Sequence, residues 1–271
     1  MIGSLKELTR SAEVITSMPS LRIELDSDAP EAIDGRHIRA VAFQDVRLEY
    51  VRRTLDRLGR PDPQRALVVG SGRGLLARGL AAMGHQVTAV DPSPAATEIA
   101  AADAQSEDVE VDHRTAPAED LRLGGQTFDL AFYADTFEVT SELDAVVAQA
   151  SRALRTGGLL IYDTVNRTIP ARLTYLAAFQ TLPMTRIMPA GRYAADRLRT
   201  PEEMEEVLAR HGLGGHEICP FTPASARGLA SSVLRRRQGR ITDDEIPPLV
   251  DFSLTPGKSP VVTYFGHAVK N

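Results

Sequence analysis

Ala66-Leu67-Val68-Val69-Gly70-Ser71-Gly72-Arg73-Gly74-Leu75-Leu76 carries an unbroken apolar run into a glycine-rich turn and out into a helical pattern. Without polar alternation, the run reads as a strand buried on both faces of a parallel sheet. Glycines in the turn let backbone N–H groups approach a ligand, and the helix N-terminus behind them favours negative charge. Further along, Gln86-Val87-Thr88-Ala89-Val90-Asp91 forms a second apolar strand that ends in an acid. In nucleotide-binding sheets an acid at that place accepts hydrogen bonds from ribose hydroxyls. A glycine turn alone fits any strand–helix junction; the acid at the next strand end turns the reading toward a nucleoside cofactor.

The spacing of the glycines narrows it. A dinucleotide fingerprint, Gly-x-Gly-x-x-Gly, needs its last glycine where helix and strand pack together. Here the glycines are Gly70, Gly72 and Gly74, and Leu75 stands at that last place. A pyrophosphate-bridged dinucleotide is disfavoured.

Outward from this stretch the pattern alternates strand and helix. Strand 66–69 leads to helix 74–83, strand 86–90 to helix 94–104 behind Ser93-Pro94, and strand 109–113 to a loop. Strand 128–133 leads to helix 141–154, closed by Arg155-Thr156-Gly157-Gly158, and strand 159–164 follows. Such alternation predicts an α/β fold: a Rossmann-like, doubly wound, mostly parallel sheet with ligands outside the carboxyl ends of its strands. Residues 1–36 read as a cap of short helices and loop, and 37–58 as a helix, so 1–63 forms a cap-and-helix segment before a core at 64–166. Segment 167–199, apolar and broken by prolines, reads as a lid. Residues 200–271 complete the core, with Thr200-Pro201-Glu202-Glu203 starting a helix. Strands 216–222 and 261–269 read as an antiparallel pair at the sheet edge, separated by an insertion at 224–250.

Composition sets the outer limits. The chain has 271 residues, 43% hydrophobic content, a net charge of −5 and no long apolar run. That length supports a substantial core, and the acidic balance argues against nucleic acid or an anionic membrane as a general partner. A single cysteine, Cys219, excludes an internal disulfide and a Cys-rich metal site. The first residues lack the basic-then-apolar layout of a signal peptide, so the expected location is cytoplasmic.

These motifs resemble the class I S-adenosylmethionine (SAM) methyltransferases, and within them the O-methyltransferases of ubiquinone biosynthesis. The class signals are the glycine turn, Asp91, Ala118-Glu119, Phe128-Asp129, and Gly157-Gly158 before a strand. More specific are Arg47-Leu48-Glu49-Tyr50-Val51, Asn166-Arg167, Ile187-Met188-Pro189-Ala190-Gly191, Thr200-Pro201-Glu202-Glu203 and Leu254-Thr255-Pro256-Gly257. The resemblance runs from about Arg39 to the C-terminus, interrupted near 229–250. It implies that Arg47 meets the methionine carboxylate of SAM, although as a residue on its own Arg47 fits a solvated helix face. It further implies Gly70, Ser71, Gly72 and Gly74 under the methionine moiety, and Asp91 with Pro92 at the ribose. Ala118 and Glu119 fall at adenine, and Ala134 on the pocket wall.

Two departures stand out. Val68 replaces an acid that the family carries in its first strand, and Val139 replaces a histidine after Glu138. Asp135 and Glu138 keep an i, i+3 spacing, which the resemblance links to a divalent cation, possible Mg²⁺, beside the substrate hydroxyl. Read from the residues alone, the two acids equally complement a helix N-terminus. Methyl transfer from a sulfonium depends mainly on positioning, with a base for the acceptor proton. Among the six histidines, His37 is the favoured base because it lies where the cap closes over the site.

The expected reaction is SAM-dependent O-methylation of a phenol, enol or similar hydroxyl on a hydrophobic small molecule. The departures tilt the acceptor toward a specialised metabolite. A quinone-pathway acceptor is the alternative, and a SAM-binding protein that no longer transfers methyl groups is a third reading. Membrane contact through 167–199 is weighed below an apolar lid, because Pro170, Pro183 and Pro189 break that segment.

Overall fold

The computed structural model describes residues 34–62, 64–124 and 127–271, together with Leu25. Of the cap expected over residues 1–36, residues 1–33 other than Leu25 lie outside the described residues, and Gly35 and Arg36 belong to α1. The first helix, α1 (Gly35–Arg57), starts two residues before its expected place because Asp34 caps it, accepting from the Arg36 N–H at 2.8 Å. Gly35 then donates to the Ile187 carbonyl at 2.6 Å. A Cβ on Gly35 would lie 2.6 Å from Met188 Sδ, so only glycine lets the helix start this close to Ile187 and Met188.

Beyond α1 the alternation runs as read. β1 (Arg65–Val69), α2 (Leu75–Ala82), β2 (Gln86–Asp91), α3 (Pro94–Ser106) and β3 (Val111–Thr115) form the first half. Ser93 caps α3 through the Ala96 N–H. β4 (Phe128–Tyr133), α4 (Leu143–Ala153) and β5 (Leu154–Val165) follow. The turn expected at residues 155–158 lies inside β5, because α4 passes directly into the strand.

A short helix α5 (Ile169–Arg172) and a π-helical turn at Leu173–Ala178 lead through the rest of segment 167–199 to α6 (Pro201–Arg210). β6 (Leu213–Pro223), α7 (Ala226–Arg237), α8 (Pro247–Val250), β7 (Phe252–Leu254) and β8 (Thr263–Lys270) complete the chain.

The sheet order is β3-β2-β1-β4-β5-β8-β6-β7. β3, β2, β1, β4 and β5 are parallel, while β8 runs antiparallel between β5 and β6. β6 and β8 form the expected antiparallel pair, but its place at the edge is corrected: β8 is interior, and β7, a strand of three residues that gives no readable pattern, holds that edge. Alternation along β1 divides the core. Ala66 and Val68 pack with Phe43, Val51, Leu76 and Leu80 of α1 and α2. Leu67 and Val69 pack with Val146, Val147, Met204 and Leu208 of α4 and α6. Both faces are covered, as a parallel sheet requires.

Tyr162 of β5 lies opposite Gly266 of β8, and a Cβ on that glycine would come 2.6 Å from Tyr162 Cε1. Tyr162 stays in place through a 2.7 Å hydrogen bond between its hydroxyl and His216 Nε2. Gly266→Val is expected to lower the unfolding free energy in urea by about 1–3 kcal/mol, the usual cost of overpacking.

Candidate active site

A cavity of about 460 Å³ opens at the carboxyl ends of β1, β2 and β4, within the size range of small-molecule sites. Its wall contains Arg47, Gly70, Ser71, Gly72, Asp91, Pro92, Ala118, Glu119 and Ala134, nine of the ten residues expected around the cofactor. Gly74 is not on the wall. It sits at φ +75°, at the start of α2, where a Cβ would lie 2.9 Å from Ala100 Cβ of α3.

The turn between β1 and α2 is shaped by its neighbours. Gly70 and Ser71 both donate to the Val90 carbonyl, at 3.0 and 3.2 Å. Gly70 has φ +73°, and a Cβ there would collide with the Ala134 carbonyl and lie 2.6 Å from Thr136 Oγ1. Only glycine meets both demands. Asp91 accepts from the Gly72 N–H at 2.8 Å and the Ser93 N–H at 3.0 Å. Burial raises its carboxyl above the ordinary value, and these two N–H donors oppose the rise. Each carboxylate oxygen has a further lone pair, so Asp91 retains the capacity to accept ribose hydroxyls. On the opposite wall Glu119 accepts from the Thr140 hydroxyl at 2.7 Å. These residues fit the nucleoside and methionine parts of SAM.

Beneath this cavity lies a buried group of charges that sequence reading did not find. Arg39 Nε is 2.8 Å from Asp135, and its Nη1 is 2.8 Å from Glu138. Nη1 also donates to the Tyr193 hydroxyl at 2.8 Å. Arg47, on the same side of α1, donates to both oxygens of Asp163 at 3.1 and 2.9 Å and lies 2.9 Å from Asp135. The Thr164 hydroxyl donates to Glu138. Phe43 lies beneath both guanidinium groups, with ring centres 5.1 and 5.5 Å from the two Cζ atoms. Burial pushes Asp135 upward, but Arg39 and Arg47 outweigh it and hold the carboxyl well below the carboxylate range.

This arrangement corrects the expected cation site. Asp135 and Glu138 are already ion-paired to guanidinium groups, and Val139 offers no donor in place of an imidazole. Among the described residues, no group of three or more His, Cys, Asp or Glu is arranged to hold a metal ion. The donor set does not fit Mg²⁺. The other reading of these acids fails as well, since α4 begins only at Leu143 and both acids face Arg39.

Of the six histidines, His37 alone lies on the described cavity wall. Burial and then Arg73 lower its pKa, against an opposing pull from Asp243 and Asp34, so the neutral imidazole prevails at neutral pH. Asp34, Arg36 and Arg192 also line the cavity and were missed. Arg192 is the only contribution of 167–199 to that wall. Much of the segment's apolar content instead forms a small core around Tyr175, Ile187, Met188 and Tyr193. Val68 is fully buried beneath α1 and α2, so its departure from the family pattern is a matter of packing.

Sheet order and cavity together define a class I SAM-dependent methyltransferase. A methyltransferase-domain family model matches residues 67–162. The ubiquinone biosynthesis O-methyltransferase of Rhizobium etli is 35% identical over 180 residues, covering 63% of this chain and 71% of that protein. The protein of the same name from Mesorhizobium japonicum is 35% identical over 217 residues, covering 77% and 83%. The chain belongs to the family of the ubiquinone biosynthesis O-methyltransferases. Among solved structures, magnesium protoporphyrin IX methyltransferase from Synechocystis, with bound S-adenosylhomocysteine, is similar in fold. Its TM-score is 0.53 at 15% identity, over 87% of this chain and 84% of that one.

Asp163 provides a pH test. Burial pushes its carboxyl up to about 7 from 3.8, against the pull of Arg47. Between about pH 4 and 7 the native state therefore holds a proton that the unfolded chain has lost, and stability falls as pH rises. Across that window, urea unfolding should show a steeper loss for the wild type than for Asp163→Asn, by an amount on the order of a few kcal/mol.

Proposed function

We propose that this enzyme methylates a hydroxyl of a hydrophobic small molecule, with a phenolic or quinol-type acceptor favoured over a specialised metabolite. The observation that carries the proposal is one cavity whose wall joins the SAM-type residues Gly70, Asp91 and Arg47 to a neutral imidazole, His37. The relatives' shared name, ubiquinone biosynthesis O-methyltransferase, supports the quinol-type acceptor.

When bound, SAM supplies the methyl group: the S–CH₃ bond breaks, its electron pair staying on sulfur, as the O–CH₃ bond forms. Every remaining task belongs to the chain. Asp91 holds the ribose, the turn at Gly70–Gly72 gives the close approach, and Ala118 with Glu119 borders the base. Arg47 meets the carboxylate; its Nη1 is not used by Asp163 or Asp135. Orientation at the reacting oxygen supplies much of the rate. His37 takes the acceptor proton and passes it to water. Val69, Leu76, Ala134 and Val139 give the cavity apolar wall for an aromatic ring. Outside it, Ile169, Leu173, Leu182 and Met184 stand exposed on the lid segment, where a hydrocarbon tail on the acceptor would find apolar company.

The test is S-adenosylhomocysteine formation from SAM with catechols and hydroquinones as acceptors. Product is expected, and EDTA leaves its rate unchanged because guanidinium groups already neutralise Asp135 and Glu138. His37→Gln should lower kcat on the order of 10²–10⁴-fold, the usual range for a general base, with SAM affinity preserved. Absence of product with every hydroxylated acceptor would overturn the reading.

A further inference from the structure

The insertion that interrupts the family resemblance returns to the active site. α7 ends at Arg237, and the turn beyond it brings Asp243 back toward the first turn of α1. Asp243 Oδ2 lies 3.6 Å from His37 Nε2. Its other oxygen accepts from Arg236 Nε at 2.6 Å, and the Arg236 side chain is 1% exposed. Ile241, Ile246 and Val250 close around Ile38, the residue next to His37, so apolar packing fixes this approach as well.

We infer that Asp243 is a positioning residue for the His37 base, itself held in place by Arg236, so that the insertion completes the catalytic apparatus. This rests on the methyltransferase reading of the cavity. A base acts well when a third group fixes its tautomer and ring orientation. With Asp243 facing Nε2, the proton of the neutral ring resides on Nε2 and the lone pair on Nδ1 is left for the acceptor hydroxyl. As the acceptor gives its proton to Nδ1, the carboxylate stabilises the imidazolium that forms. A separation of 3.6 Å is longer than a hydrogen bond, and catalytic contacts of this kind commonly tighten when substrate binds. The charged groups acting on His37 are Arg73 from the glycine turn, Asp243 from the insertion, Asp34 at the start of α1 and Asp103 of α3.

Two readouts test this. The first is long-range ¹H–¹⁵N NMR of the histidine rings in the whole protein, with His37→Gln used for assignment. It should show His37 protonated on Nε2 at neutral pH, and Asp243→Asn should lose that preference. The second is the pH profile of methyl transfer from SAM to catechol. Asp243→Asn should lower kcat on the order of 10- to 100-fold. It should also move the acid limb to lower pH, leave KM for SAM within about twofold, and be reversed largely by Asp243→Glu. A salt bridge with a purely structural role would leave the limb in place, and that outcome overturns the inference. An Nδ1-protonated His37 in the wild type overturns it too, even where the Asp243 variants fail to fold. If the wild type transfers no methyl group while its His37 shows the Nε2 tautomer, the reaction assignment fails and the positioning contact stands.

Discussion

Two guanidinium groups on one face of α1 meet three carboxyl groups from the ends of β4 and β5, and the active site depends on that contact. Arg39 and Arg47 are almost wholly buried, as are Glu138 and Asp163. Charges taken out of water must be paired, and removing one partner from such a group typically costs about 3–5 kcal/mol. The pairing therefore fixes where α1 can lie. With Arg39 on Asp135 and Glu138, and Arg47 on Asp163, the start of α1 is held over the carboxyl ends of the strands. His37 and Arg47 reach the cavity as a consequence. The same contact reaches segment 167–199, because Arg39 also donates to Tyr193 and lies 5.2 Å from the centre of the Tyr175 ring.

The cluster also explains how this chain departs from what its acidic pair suggested. Two carboxylates near a reacting hydroxyl would suit a hard cation, yet here they pair with an arginine that touches Tyr175 and Tyr193. Under the proposed function acceptor activation falls to His37, whose imidazole lies on the cavity wall. Arg36, Arg73 and Arg192 border the same cavity as Asp34 and Asp91, so it is polar on that side and apolar toward Ala134 and Val139.

Much of the fold was legible because it follows from local pattern. The apolar run at 66–69, the acid at Asp91, and the caps at Ser93 and Thr200 each act through neighbours a few residues away, and the structure places those elements where they were read. Arg39 was invisible for the opposite reason. On a helix surface an arginine reads as solvated, and it is buried only because acids from distant segments converge on it. Asp163 did leave a signal, an acid inside the apolar strand read at 159–164, which calls for a polar partner nearby. β7 is too short for any periodicity, and β8 looked like an edge because sequence order does not reveal insertion between β5 and β6. Asp243 lies in the insertion at 224–250, where no motif marks it; only the fold brings it to His37.

The central claim is that this cavity binds the SAM nucleoside through Asp91, and calorimetric titration with S-adenosylhomocysteine tests it most directly. One site per chain is expected for the wild type. Asp91→Asn should weaken it on the order of 10- to 100-fold, as expected for hydrogen bonds to a charged acceptor. Equal affinity in the two proteins, or no binding by the wild type, would contradict the account.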